Sequence, residues 1–168
     1  PLAGADAAVG GPDPQVDDTV DLIERNFLSS SLSKFAPLIG AKERRIKFTT
    51  ELKGSGTAGT PPTIDPFLRA CGMSVTNVLA TSDTYNVNNG VETLTLARWL
   101  KDGVSGSVAK KIKGAMGAFS MEGSVGGAMA VSFDFLGQYL DVIDLVSPSG
   151  VVADTLKPPQ LLGITMTI

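Results

Sequence analysis

The chain has no histidine among its 168 residues. That removes the commonest general base, the commonest metal ligand and the usual pH switch. Its single cysteine, Cys71, excludes an internal disulfide framework and any Cys-rich zinc site. Within "LRACGM", and with no imidazole to activate it, Cys71 reads as a small buried apolar residue. Charge is also sparse, at 18% of residues, against 43% hydrophobic. Much of the surface must therefore be Gly, Ser and Thr, which suits a subunit packed against copies of itself. No apolar run approaches the roughly 20 residues of a bilayer-spanning helix, so no membrane partner is expected. The chain opens on Pro1 and ends at Ile168 inside an alternating stretch. The expectation is a chain cut from a longer protein.

What is present is glycine, proline and alternation. The length fits one domain able to bury a core without staples. The start, "PLAGADAAVGGPDPQVDDTV", is rich in Gly, Pro and Asp and has little periodicity. It is expected to be an arm over 1–24, extended against a neighbour or unstructured alone. It carries Asp6, Asp13, Asp17, Asp18, Asp21 and Glu24 with no base, whereas "KERRIKFTTELK" (42–53) is basic on balance. Such a split fits subunits joined head to tail and equally fits two solvated patches.

From Arg45 to Lys53 the residues alternate. Ile46, Phe48, Thr50 and Leu52 share one face, with Arg45, Lys47, Thr49, Glu51 and Lys53 on the other, as in a half-buried strand. "DPFLRACGM" (65–73) predicts a short helix with Asp65 as N-cap, Pro66 at the first position and Gly72 as C-cap. Residues 92–114 read as a hairpin turning at Lys101, Asp102 and Gly103, and residues 117–139 as a second turning near Gly126 and Gly127. In the second, Met129, Val131, Phe133 and Phe135 form one face against Ala128, Ala130, Ser132 and Asp134. "TSDTYN" reads as a loop, and "LLGITMTI" as a further strand. The expected domain spans 25–157, with 158–168 opening another β segment.

Between strand and helix lies "ELKGSGTAGTPP" (51–62), which contains a literal G-x-G-x-x-G. A dinucleotide loop works because a helix begins at the glycines and turns its free N–H groups and dipole on the pyrophosphate. Here Pro61 and Pro62 supply no N–H, and the helix starts near Asp65. The strand before it is half polar, unlike a central parallel strand. The stretch Gly54, Ser55, Gly56, Thr57, Ala58, Gly59, Thr60, Pro61 and Pro62 is instead a closely packed connection or a loop reaching a neighbouring subunit. Spacing does not choose between those two.

"RRIKFTTELKGSGTAGTPP", "PFLRACGM", Tyr85, "ETLTLARWLKDGV", "KKIKGAMGAFSMEGSVGG" and "AVSFDFLGQYLDV" resemble, in that order, the tail tube (major tail) proteins of long-tailed bacteriophages. The resemblance runs from about Arg44 to Asp141, and the Gly54 to Gly59 loop followed by "LRACG" is its specific part. It implies a mainly β fold: an antiparallel β-sandwich or barrel subunit with one short α-helix, contributing strands to a ring-shaped barrel shared between subunits. Rings of six copies would stack into the tube that carries double-stranded DNA to the host. Closure of the ring would pair each exposed strand edge. The partners implied are other copies of the chain, the tape measure, terminator and baseplate proteins, and DNA in transit. The implied place is the virion tail, assembled in the bacterial cytoplasm, with no cofactor, metal or catalytic residue.

A conduit must not hold phosphate. Under the resemblance Ala118, Ser120, Glu122, Ala130, Ser132 and Asp134 are the candidate lumen face, small and neutral to acidic. Arg45, Lys47 and Lys53 fit that surface poorly, and acids of an adjacent subunit, Asp17 and Asp18 among them, are expected to pair with them. Asp134, Asp141 and Asp144 otherwise read as solvated charges. Two other classes compete. One is a related ring: a terminator, a baseplate ring, or a secretion or bacteriocin tube subunit. The other is a sugar-binding sandwich, disfavoured because Trp99 lies in a strand and is expected to be packed.

Overall fold

Alternation decides the architecture. In the computed structural model, which describes residues 13–25, 35–88, 90, 92–102, 106–146 and 156–162, the chain is mainly β with one small helix. The strands are β1 (Gln15–Ile23), β2 (Leu38–Glu51), β3 (Met73–Val78), β4 (Ser82–Val87), β5 (Leu94–Asp102), β6 (Gly106–Glu122), β7 (Ala130–Tyr139) and β8 (Ile143–Asp144); the helix α1 is Asp65–Ala70. The main sheet runs β1-β2-β7-β6-β5, antiparallel throughout, and β3 and β4 form a separate pair. β8 continues the line of β7 alongside β6, opposite Val108 and Ala109.

One face of this sheet is apolar and closed. Ile46 and Thr50 of β2, Val131, Phe133 and Phe135 of β7, and Ile112 and Ala115 of β6 are buried on it. Helix α1 seals it with Phe67 and Leu68. The Phe67 ring stands edge-on to Phe48 at 5.2 Å and lies 5.5 Å from Phe133. Contacts of that kind contribute about 0.5–1.5 kcal/mol each beyond area burial. The predicted apolar face of β2 and the Val131, Phe133, Phe135 row of β7 both lie here.

Opposite edges of the strand order come together. Asp13, just before β1, accepts hydrogen bonds from Arg98 of β5 at 2.6 and 2.7 Å. The sheet curls into a half-barrel, and this ion pair links the residues leading into β1 to the last strand in the order.

Several expectations need correction. The acidic arm is a strand over Gln15–Ile23, paired to β2 with Asp17 and Asp18 opposite Arg45 and Arg44 in register. The two hairpins share one strand of 17 residues, β6, which passes from β5 to β7 through a register shift between Lys113 and Met116. A bulge there lets the strand bend and keep pairing. "TSDTYN" is β4, paired to β3, with Tyr85 opposite Val75. Asp65 does not cap the helix; Ile64 holds that position without a side-chain bond. The Asp65 carboxylate instead accepts the Tyr85 hydroxyl at 2.8 Å, tying α1 to β4, and burial, reinforced by this bond, raises the Tyr85 pKa. Cys71, not Gly72, holds the C-cap, and Gly72 follows it at φ +85°, where it turns the chain out of the helix. Lys101 and Asp102, expected in a turn, end β5 opposite Ser107 and Gly106, while Gly103 and most of the last predicted strand lie outside the described residues. Within them, Gln160 forms one bridge to Ala128.

Candidate functional site

The other face of the sheet carries the residues singled out in sequence. Antiparallel register sets them in rows across β2, β7 and β6: Glu51, Ala130 and Glu122; then Thr49, Ser132 and Ser120; then Lys47, Asp134 and Ala118. β1 extends the last row with Gln15, opposite Lys47. All six candidate lumen residues therefore lie side by side on one surface. A trough of about 530 Å³ runs over it, with Asp13, Gln15, Lys47, Thr49, Ala118, Ser120, Ser132 and Asp134 among its lining. The hollow spans four adjacent strands, β1, β2, β7 and β6.

The row of hydroxyls is satisfied locally, with Thr49 Oγ1 and Ser132 Oγ 2.9 Å apart. The charged row is more specific. Asp134 accepts Arg45 Nε on one carboxylate oxygen and Nη2 on the other, both at 2.6 Å, and Lys47 Nζ stands 3.8 Å from it. This bidentate bond raises the Arg45 pKa above its ordinary value. Arg45 and Lys47 thus find a counter-charge within the same chain, on the neighbouring strand. Register explains it: Lys47 faces Asp134 directly, and Arg45 reaches it along the diagonal. Lys53 donates to the Leu156 carbonyl at 3.4 Å. Asp134 is correspondingly an ion-pair partner and not a solvated strand charge.

Asp17 and Asp18 part company. Asp17 is exposed on the polar face, where Gln15 Nε2 donates to its carboxylate at 3.0 and 3.2 Å. Asp18 points to the other face and pairs with Arg44, whose side chain is completely buried. Arg44 donates to Asp18 from Nε at 2.5 Å and Nη2 at 3.0 Å, and from Nη1 to the carbonyls of Lys111 and Leu140 at 3.1 Å each. Its guanidinium also covers the Tyr139 ring at 4.2 Å. The Arg44 hydrogen bond lowers the Asp18 pKa and, reciprocally, raises that of Arg44. Sequence reasoning missed this group, although Arg44 has the parity of Ile46 and so belongs to the apolar face.

Part of the glycine loop packs against its own chain. Thr57 N–H donates to Ser55 Oγ and Thr60 N–H to the Thr57 carbonyl, so these amides do not converge on an anion. Gly59 sits at φ +68°, and a Cβ there would lie 2.4 Å from the Ala80 nitrogen. Its carbonyl accepts Asn77 Nδ2 at 2.6 Å. The loop is thereby clamped on the β3–β4 turn of its own chain. Gly56 faces Leu156, while Gly54 has open space around it. Thr57, Ala58, Thr60 and Pro61 are exposed, with Ser55 and Pro62 half-buried.

Cys71 is half-buried and desolvation pushes its thiol up to about 11, so little thiolate forms at neutral pH. Trp99 is partly buried in β5. Among the described residues no three acidic or thiol side chains are grouped to hold a metal ion, and no helix is long and apolar enough to cross a membrane. No protein-family model matches the chain, and no curated protein matches it closely enough to name a relative.

Proposed function

We propose that the chain is a structural virion protein, a phage tail tube subunit that assembles into stacked rings around a passage for double-stranded DNA. The observation that carries this reading is the polar face: a hollow lined largely by small, uncharged side chains, where the two cations, Arg45 and Lys47, are offset by the two acids Asp134 and Asp17. Such a surface offers a passing polyanion few phosphate contacts, and affinity for DNA scales with their number. Two further features support it. Among the described residues β1 has no strand on its outer side, and β6 has none along 116–122 on the side away from β7. Bare edges of this length are ready to pair with another copy. The opposite face is closed by α1, so the polar face is the one left to be shared. In this reading the protein does no catalysis; its chemistry is assembly and the avoidance of binding.

Negative-stain electron microscopy across a concentration series, with light scattering on the same samples, tests the proposal. Hollow rings or tubes are the expected outcome. A strict monomer at every concentration, for this chain and for a version extended at both ends, would remove it.

A further inference from the structure

The Arg45, Lys47 and Asp134 group differs from the neutral rows beside it. A guanidinium fork and an ammonium converging on one pair of oxygens is how proteins commonly hold a phosphodiester. Here the oxygens are the chain's own: both Arg45 bonds to Asp134 are 2.6 Å, and Lys47 stands 3.8 Å away. The cations are accessible, with side chains 50% and 42% exposed for Arg45 and Lys47, against 33% for Asp134. Asp17 is the other acid facing Arg45, but it lies on β1 and is engaged by Gln15. When both acids are ionised the four charges cancel, and losing the Asp134 charge leaves this group with one net positive charge.

We infer that Asp134 is a built-in phosphate mimic: it occupies a latent site for the backbone of duplex DNA, formed by Arg45 and Lys47, and keeps that site masked. With the mask the face lets a duplex pass; without it the face holds the duplex. The consequence for passage rests on the conduit reading above, whereas the masking is a property of the folded chain and is measured independently.

The test is fluorescence anisotropy of a short labelled DNA duplex titrated with the purified chain over a range of sodium chloride concentrations. Asp134→Asn is expected to bind about tenfold more tightly than the parent at low salt, with a log–log salt slope steeper by about two. Asp134→Ser, which keeps an oxygen for Arg45 to bond, carries the same expectation and guards against a variant that fails to fold. The triple variant Arg45→Gln/Lys47→Gln/Asp134→Asn is expected to return to the parent affinity. Parent-like binding by both single variants with native unfolding curves overturns the inference, as does a gain that survives in the triple variant. Electron microscopy of the same samples separates the two readings. Rings without a gain in affinity remove the mask alone, and a gain without rings removes the conduit alone.

Discussion

Phe133 and Asp134 are neighbours in β7, yet they belong to surfaces held by different physics. Phe133 lies 1% exposed beneath α1, with the rings of Phe48 and Phe67 within 5.5 Å. Asp134 lies on the hollow side among hydroxyls, fixed by ions that water still reaches. Burial makes the first face strong and intolerant of change. The second contributes little to stability and can be rewritten at low cost. One strand therefore separates the work of folding from the surface offered to partners, through its period of two.

Truncating the buried face should break the molecule first. Phe133→Ala is expected to cost about 3–5 kcal/mol through lost burial and a cavity, read as a shift in the urea unfolding midpoint. Next is the Asp18–Arg44 ion pair on the buried side. Asp18→Asn strands the Arg44 guanidinium inside the protein, and a loss of about 2–4 kcal/mol is expected at neutral pH. The sign of its pH dependence follows from the hydrogen bond to Arg44. Because the folded Asp18 has a lowered pKa, its contribution is whole above the unfolded value of about 4 and fades as pH falls below it. The gap between parent and Asp18→Asn should therefore narrow on acidification, and a gap that stays constant or widens would contradict the pairing.

The glycine loop sharpens the contrast on a smaller scale. Gly59→Ala, which drives a Cβ into the backbone of the β3–β4 turn, is expected to cost about 2–3 kcal/mol. Gly54→Ala, with open space around it, should stay within about 1 kcal/mol. Thermal unfolding of the pair measures the difference. The smallest effect belongs to the polar face: Ser132→Ala removes one hydroxyl contact with Thr49 and is expected to cost at most about 1 kcal/mol.

Much of the buried half was legible. The alternation of Ile46, Phe48 and Thr50 and of Val131, Phe133 and Phe135 named both strands and their inner faces, and "DPFLRA" named the helix. β1 escaped because it shows almost no buried face; of its nine residues only Val16 is even half-buried. Its pairing with β2 is fastened by Asp18 on Arg44, a match between segments more than 20 residues apart that no local pattern reveals. β6 was read as two strands because Gly114 and Gly117 punctuate it, and in the fold such residues accompany a bend instead of an end. For the loop 54–62 spacing leaves two roles open, and only the fold shows that the β3–β4 turn lies against Gly59.

What the sequence determined by itself was local: the period of each strand, the small helix, and the chemistry ruled out by having no histidine and one cysteine. Tertiary structure alone decided which charges meet. It sent Asp18 to a buried arginine and Asp134 to an exposed one, and it turned a row of small residues into the lining of a hollow. The reason is physical. A strand's faces follow from neighbours two residues apart, whereas ion pairing and curvature depend on the register between distant strands, which only the closed sheet establishes.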